Sequence, residues 1–425
     1  MSMAQPQNQR SSMNISSAGI KTKQRYLGDR GLIALISLLS AFVPLSTDLY
    51  LPALPGMADY FGVSSDLANL TLVMFFLSFG AGTLLWGPLS DRYGRRPMLL
   101  IGLSIYSAAS LGCALSTDIY QLIAFRILEA IGGSSGFAVA TAMIKDVYDV
   151  SRREPILAVV QTMVLISPVS APVIGAILLR FTSWRGLFGA LAFIGLLALA
   201  GSIALQETLR DRHSGSLVHA LGRLYVVARN PAFASLLALF SLPSISAMAF
   251  IASSSYIYIR GFELSELAYS YFFAFNAIGM ISAPTIYLKL SKRMSRRSFV
   301  MICFGVMILS GMLILIVGTR SPWIFAVSLL PATIAAGAVR TPGTNLMLEQ
   351  QREDTGSAAA LMSCVGIIAG SIGMSLISMN RGNMIPVLGM LYVLIGMISA
   401  TLWLYISQRP YVTRIPDRRA TAAAG

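Results

Sequence analysis

Four ionisable residues lie within long apolar runs of this sequence, namely Asp48, Arg126, Glu129 and Arg340. A charge near the centre of a lipid bilayer costs about 2.5 to 3.5 kcal/mol, so each is a candidate for function if the runs cross a membrane. Arg126 and Glu129 are three positions apart and share one face of a helix. Burial favours a neutral carboxyl group and a nearby guanidinium favours a charged one, so a small rearrangement could load or release a proton. The pattern predicts a proton-coupling site formed by Asp48, Arg126 and Glu129.

Less specific interpretations of the same charges remain open. Arg126 and Glu129 could form a static ion pair, and Asp48 could cap a kink in the proline-containing stretch around it. At a helical rise of 1.5 Å per residue, Asp48 would lie about 9 Å below the outer surface, Arg126 about 12 Å and Glu129 about 16 Å. Asp48 and Arg126 could therefore meet.

Arg340 lies deeper along its own apolar run, about 26 Å from the outer end. A long side chain there could reach lipid headgroups at the inner edge of the membrane. It could instead make a gate contact inside the protein, and the sequence leaves both roles open.

The composition is that of a membrane protein. Of 425 residues, 55% are hydrophobic and only 12% are charged, with a mean hydropathy of +0.70, so most of the surface must face lipid. Runs of about 20 apolar residues are long enough to span a bilayer as helices. The predicted fold is an all-α membrane protein with twelve transmembrane helices in two six-helix bundles. The predicted spans are 31–54, 68–88, 97–116, 119–143, 155–180, 185–205, 231–258, 265–289, 298–318, 322–348, 356–378 and 385–406.

A basic cassette occurs twice, at 87–97 and at 290–298, each time between two apolar runs. A repeat at half the chain length is typical of a carrier built from two similar halves. The predicted organisation is a disordered cytosolic tail, a first bundle, a cytosolic linker, a second bundle and a cytosolic tail. Their bounds are 1–30, 31–205, 206–230, 231–406 and 407–425.

The basic residues predict the orientation. Most lysines and arginines fall on the side that holds both termini, whereas the opposite loops hold only Arg180, Arg185, Arg260, Arg320 and Arg381. The positive-inside rule then places both termini in the cytosol. The net charge of +14 reflects this asymmetry and attraction to anionic lipid, and no nucleic-acid partner is expected.

Several function classes find no support. Cys113, Cys303 and Cys364 stand singly in apolar runs, so neither a disulfide framework nor a metal site is expected. No phosphate-binding sequence of the GxxxxGK[ST] kind occurs, and no nucleophile–base cluster has a workable spacing, so neither ATP drive nor an enzyme is expected, and no cofactor is implied. His213 and His219 are interpreted as solvated linker residues.

The first cassette carries an acid among cations where one span ends and the next begins. Such charges could pair across the bundle interface when the inner side closes, or could serve topology alone. In the second copy Lys292 replaces the acid, so the gating role is assigned to the first.

This cassette resembles the signature of the major facilitator superfamily, through Gly87, Leu89, Asp91, Arg92, Gly94, Arg95 and Arg96. Motifs at 45–55, Arg126 with Gly132, 171–175, Trp184-Arg185 with Phe188, and 356–361 resemble the bicyclomycin/chloramphenicol resistance branch of drug:proton antiporters. The resemblance covers about 31–406.

The resemblance implies a multi-pass exporter of the bacterial inner membrane. It implies that Asp48 takes part in proton and substrate coupling and Arg126 in proton movement. It also implies that Asp91 and the arginines beside it lock the cytosolic side by pairing with Asp146. It also implies an antiporter motif on the fifth span, formed by Pro168, Pro172 and Gly175. Three positions depart from the family pattern: Glu129 replaces the usual glutamine, Ala176 replaces a proline, and Arg340 stands where a small or apolar residue is usual.

The preferred prediction is proton-coupled efflux of small amphipathic drugs or metabolites by a monomer. Its substrate cavity would be lined by Tyr50, Phe75, Phe76, Tyr256, Tyr258, Phe272, Phe275 and Asn276. Proton-coupled uptake of a nutrient by the same fold is the first alternative, because direction cannot be read from these residues. A channel or a non-transporting sensor is a second.

Overall fold

The computed structural model describes residues 24–209, 217–351, 355–379 and 382–413. Sequence predictions that fall on 1–23, 210–216, 352–354, 380–381 and 414–425, including His213 and Arg381, lie outside these residues. The helices are α1 Gly28–Asp48, α2 Leu54–Phe61, α3 Ser65–Tyr93, α4 Arg95–Leu115, α5 Ile119–Val147, α6 Val150–Leu179, α7 Trp184–Ala204, α8 Leu217–Ala228, α9 Pro231–Ser255, α10 Glu266–Leu290, α11 Arg296–Val317, α12 Pro322–Glu349, α13 Thr355–Ser378, α14 Met384–Ile406 and α15 Pro410–Thr413.

All twelve predicted spans are confirmed as helices long and apolar enough to cross a membrane, counted over the described ranges. The first span differs most from its prediction, because it continues to Phe61 instead of ending at 54. Between α1 and α2 the chain forms a 3-10 turn, Leu51–Ala53, with Pro52 in it and Pro55 just after it. Proline has no backbone N–H to donate, so the regular helix ends at Asp48 and restarts at Leu54.

The helix ends follow from local sequence. Asp118 accepts hydrogen bonds from the backbone N–H groups of Tyr120 and Gln121 at the start of α5, and Asn230 does the same for the start of α9. Such side chains satisfy donors that have no partner within the helix. Helix C-termini also follow from the sequence: Gly62 adopts a left-handed φ of 63° and terminates α2.

The helices form two bundles that match the two halves of the chain. The first contains α1 to α7 and the second α9 to α14, and they meet chiefly where α3 packs on α13 and where α6 packs on α10. The segment predicted as a linker contains the helix α8. We call the side on which α1 begins and α14 ends the terminal side, and the opposite side the distal side.

Polar contacts join the two bundles on the distal side. Asn69 Nδ2 donates to Ser378 Oγ at 2.9 Å, and Ser270 Oγ donates to the Pro172 carbonyl at 2.9 Å. Arg260 Nη2 lies 2.5 Å from a carboxylate oxygen of Asp59. These contacts hold the distal side closed.

The bundles separate toward the terminal side. In the first half of α6, between Leu157 and Met163, only Val160 is buried. In α13, no residue from Ala359 to Ala369 is buried. A helix that only faced lipid would expose one stripe, so exposure around most of the helix indicates a central cleft that opens to the terminal side.

Candidate functional site

The Arg126–Glu129 pair lies at the centre of the first bundle. Both side chains are fully buried, and Arg126 Nη1 lies 2.7 Å from Glu129 Oε2. The same nitrogen donates to the carbonyl oxygen of Ser46 at 3.0 Å. That carbonyl belongs to the last turn of α1, where helix geometry leaves acceptors without partners and the helix dipole favours a cation. Arg126 therefore ties α5 to the end of α1.

Aromatic rings surround the rest of the guanidinium. The Arg126 Cζ atom lies 4.1 Å from the ring centroid of Phe75, 4.6 Å from that of Tyr50 and 5.7 Å from that of Phe188. These cation–π contacts stabilise a charge in a site with little water. Within the described part of the chain, Arg126 Nε and Nη2 have no hydrogen-bond partner, so this arginine retains capacity for a further acceptor.

Glu129 is the better satisfied of the two partners. Ser110 Oγ donates to Glu129 Oε1 at 2.9 Å, and the Cys113 thiol lies 3.8 Å from Oε2. Neither Ser110 nor Cys113 was predicted from the sequence as a site residue, although both lie on α4, the neighbouring span. The carboxylate thus has partners on α4 and α5, and any change in its protonation would alter contacts on both helices.

Asp48 is the last residue of α1 and is only 5% exposed. Its carboxylate accepts a hydrogen bond from Thr47 Oγ1 at 3.0 Å. No ion pair or hydrogen bond joins it to Arg126 in the described ranges, so the expected meeting is absent from this conformation. Asp48 comes just before the Leu51–Ala53 turn, which packs against α10 and α9 of the second bundle. It therefore sits where the first bundle meets the second.

In the basic cassette, Arg95 is the central residue. Its Nη1 lies 2.6 Å from Asp91 Oδ1 and 2.7 Å from Ser90 Oγ, and its Nε lies 2.9 Å from Asp146 Oδ2. The pairing with Asp146 that the resemblance implied is therefore present. It connects α3, α4 and α5 within one bundle, and pairing across the bundle interface stays a prediction because the terminal side is open here.

The other cassette residues have different surroundings. Arg92 is exposed and lies over the Tyr93 ring at 5.2 Å, and Arg96 Nη2 donates to the Ile203 carbonyl at 2.8 Å. Gly94 adopts a φ of +107°, a conformation that favours glycine. Gly87 has open space where a Cβ would lie, so no close approach explains this glycine.

Glu207 is a site residue that the sequence interpretation missed. Its Oε1 accepts from the backbone N–H of Arg95 at 2.9 Å, and its Oε2 from that of Arg96 at 3.2 Å. It thus caps α4 from just beyond the end of α7, and no spacing signal connects residues more than a hundred positions apart. A carboxylate is favourable at a helix N-terminus, and this one joins the cassette to the start of the predicted linker.

The proposed antiporter motif lies on α6 at the distal closure. The Pro172 carbonyl accepts the hydrogen bond from Ser270 of the second bundle, and Pro168 lies one turn earlier. A Cβ on Gly175 would overlap the backbone carbonyl of Leu49, so a glycine is required for α6 to approach the end of α1.

The predicted cavity residues fall into three groups. Tyr50 and Phe75 contact Arg126, and Phe76 is buried beside Phe75. In the second bundle Tyr258 stacks on Phe272 with centroids 4.9 Å apart, and Phe275 contacts Trp323. The hydroxyl of Tyr256 and the Oδ1 of Asn276 are buried without a hydrogen-bond partner in the described ranges.

Twelve spanning helices in two bundles, closed on one side of a buried charge pair and open on the other, define a multi-pass membrane transporter. The chain belongs to the Major Facilitator Superfamily, which it matches over residues 36–374.

Relatives and solved structures agree with this assignment. The chain is 30% identical over 365 residues to a chloramphenicol resistance protein of Pseudomonas aeruginosa, covering 83% of this chain and 85% of that protein. It is 24% identical over 371 residues to a bicyclomycin resistance protein homolog of Haemophilus influenzae, covering 84% and 91%. A solved D-xylose-proton symporter has a TM-score of 0.70 at 14% identity, covering 88% and 96%, which shows the shared fold.

Proposed function

We propose that this transporter exports small amphipathic compounds in exchange for protons. The observation that carries the proposal is the fully buried Arg126–Glu129 pair, whose arginine bonds the Ser46 carbonyl two residues before the buried Asp48. Glu129 pairs with Arg126, and the same arginine binds the α1 backbone two residues before Asp48, so motion of α1 against α5 could change the protonation of either carboxyl group as the bundles move. The relatives named for chloramphenicol and bicyclomycin resistance support drug-like cargo.

The coupling scheme assigns a role to each charged group. With the distal side open, Asp48 or Glu129 takes up a proton from outside. With the terminal side open, as in this conformation, the proton leaves to the cytosol while Arg126 stabilises the charged carboxylate. Cargo enters from the terminal side when the carboxyl groups have lost their protons. It leaves on the distal side when protons bind in its place.

The location and the gate belong to the same proposal. The protein would reside in the bacterial inner membrane as a monomer with both termini cytosolic, which makes the terminal side cytosolic. Gly87, Asp91, Arg92, Gly94, Arg95, Arg96 and Asp146 would form the cytosolic gate. Pro168, Pro172 and Gly175 would let α6 move against α1 and α10.

Transport by purified protein in liposomes with an imposed pH gradient tests the proposal. One proton crossing about 100 mV and one pH unit releases roughly 3.7 kcal/mol, enough for a gradient of several hundredfold in a neutral compound. Asp48→Asn and Glu129→Gln should abolish uphill transport. Glu154→Gln, at an exposed acid on α6, should leave it unchanged. If Asp48→Asn and Glu129→Gln both keep uphill transport, these acids do not couple protons.

Uptake by the same fold is the alternative, since a proton symporter shares the architecture. Comparing drug accumulation in cells with and without the protein separates the two directions. An exporter lowers accumulation, whereas an importer does not.

A further inference from the structure

We propose that Arg340 recognises an anionic group on the transported compound, so that the cargo includes amphipathic monoanions such as aromatic carboxylates. This inference rests on the proposed export function and deepens it by naming a substrate class. It depends on where Arg340 points, on its having no hydrogen-bond or ion-pair partner among the residues that the structure describes, and on the absence of acids nearby in the sequence.

Arg340 does not face lipid. The lipid-exposed stripe of α12 includes Ile324 and Val327, 38% and 56% exposed, and Pro331. At 3.6 residues per turn, Arg340 lies about 180° around the axis from that stripe. Its exposed side chain therefore points toward the interior, and the lipid-facing role left open by the sequence does not fit.

The neighbours of α12 define that direction more closely. One turn before Arg340, Gly337 packs against Ala283 of α10, and one turn after it, Gly343 packs against Phe240 of α9. At about 100° per residue, Arg340 points midway between those two helices. Arg340 is exposed although it points between two helices, so we infer that this gap opens to the central cleft.

The first bundle contains a comparable arrangement. Arg126, on α5, bonds the Ser46 carbonyl of α1 and lies over Phe75 of α3. In the second half of the chain, α12, α9 and α10 hold the positions that α5, α1 and α3 hold in the first. Each bundle thus directs one arginine between its first two spans, and Arg340 lies nearer the open terminal side.

Arg340 differs from Arg126 in having no acid paired with it in the described part of the chain. Within the described ranges no hydrogen bond or ion pair involves its side chain, whereas Arg95, Arg126 and Arg260 are all paired. The sequence contains no Asp or Glu from 267 to 348 and none from 355 to 406. The spanning part of the second bundle therefore carries an uncompensated positive charge toward the cleft.

This charge suits a carboxylate or sulfonate. A guanidinium presents a planar set of donors that can bind two carboxylate oxygens at once, and it stays charged throughout the physiological range. Low-dielectric walls on both sides strengthen its attraction for an anion compared with open water. The apolar helices around it suit the remainder of an amphipathic molecule.

Binding of two matched fluorescent probes tests the inference. Dansyl-phenylalanine and dansyl-phenylalaninamide share one apolar body and differ by one negative charge. Each is titrated against the full-length protein in phosphatidylcholine nanodiscs without any proton gradient. Wild type should bind the acid more tightly than the amide. Arg340→Gln should weaken binding of the acid about tenfold or more, as expected for loss of a charge-assisted bond, and change the amide less than about twofold.

Two further variants control this result. Arg340→Lys keeps the charge, so its affinity for the acid should lie between those of wild type and Arg340→Gln. Arg320 lies in the distal connection before α12, and Arg320→Gln should bind both probes as tightly as wild type does. Unchanged binding of the amide shows that each variant is folded.

Three outcomes would overturn the inference. Wild type could show no preference for the acid, or Arg340→Gln could weaken both probes equally, as a gate or structural role would require. Phosphatidylglycerol nanodiscs could also abolish the preference, which would make the bound anion a lipid headgroup. Proton-driven export is measured separately. If the binding preference is lost while export is intact, only this inference is rejected. If the binding preference is present while export is absent, only the export proposal is rejected.

Discussion

At the scale of single residues, Arg126 is fixed by the end of a helix as much as by its acid partner. α1 stops at Asp48, so no backbone N–H of the helix donates to the Ser46 carbonyl. That carbonyl accepts a hydrogen bond from the Arg126 guanidinium instead. This explains why Arg126 and Asp48 do not pair here. The arginine reaches the α1 backbone two residues before the carboxylate, and the Asp48 carboxylate accepts a hydrogen bond from Thr47 instead.

Removing only the acid of the buried pair should be more harmful than removing both charges. Glu129→Ala leaves Arg126 buried without a counter-ion and should lower the free energy of unfolding by roughly 3 kcal/mol. Arg126→Met combined with Glu129→Met removes the unpaired charge, so the double variant should be more stable than Glu129→Ala. Thermal unfolding of the detergent-purified proteins measures the order.

Ser110→Ala is the graded control for this experiment. It removes one hydrogen bond to Glu129 and keeps the ion pair, so a loss of about 1 kcal/mol is expected. A double variant as unstable as Glu129→Ala would show that shape, and not charge, holds the site together. The double variant should also lose proton-coupled transport whatever its stability.

At the scale of helices, the first turn of α4 depends on a side chain from beyond α7. Glu207→Ala should expose the backbone N–H groups of Arg95 and Arg96, at a cost of about 1 kcal/mol. Hydrogen–deuterium exchange at 95–98 should then become faster. Glu154→Gln, an exposed acid elsewhere, should not change it. Equal exchange in Glu207→Ala and wild type would contradict the capping role.

What the sequence could predict at this scale depends on how far apart the interacting residues are. Apolar length alone located the twelve spans, and three-residue spacing placed Arg126 and Glu129 together. The first span was predicted too short because an apolar run of about 20 residues was read as ending near Leu54, although the chain forms a 3-10 turn at Leu51–Ala53 and continues as α2. Glu207 could not be predicted, since no local pattern links it to Arg95.

The direction of Arg340 is an intermediate case. The stripe of Ile324, Val327 and Pro331 is readable as a helical pattern, so its opposite face could have been assigned to the interior. The helices that flank that face could not be predicted from the sequence, because the packing of Gly337 on α10 and of Gly343 on α9 depends on the assembled bundle.

At the scale of the whole molecule, the distal closure combines contacts of unequal strength. The Arg260–Asp59 pair is largely exposed, and exposed ion pairs contribute little. The Asn69–Ser378 hydrogen bond is buried and joins α3 directly to α13. Opening the distal side must separate these two residues, whereas motion of each bundle as a rigid body leaves contacts inside a bundle unchanged.

A disulfide at that contact should therefore trap the transporter with its terminal side open. In a chain whose three native cysteines are replaced by serine, oxidised Asn69→Cys/Ser378→Cys should lose transport and regain it on reduction. Ser310→Cys/Ser328→Cys provides the matched control, because Ser310 bonds the Ser328 carbonyl within the second bundle, and its oxidation should leave transport intact. Continued transport by the fully oxidised Asn69→Cys/Ser378→Cys protein would show that α3 and α13 need not part on the distal side.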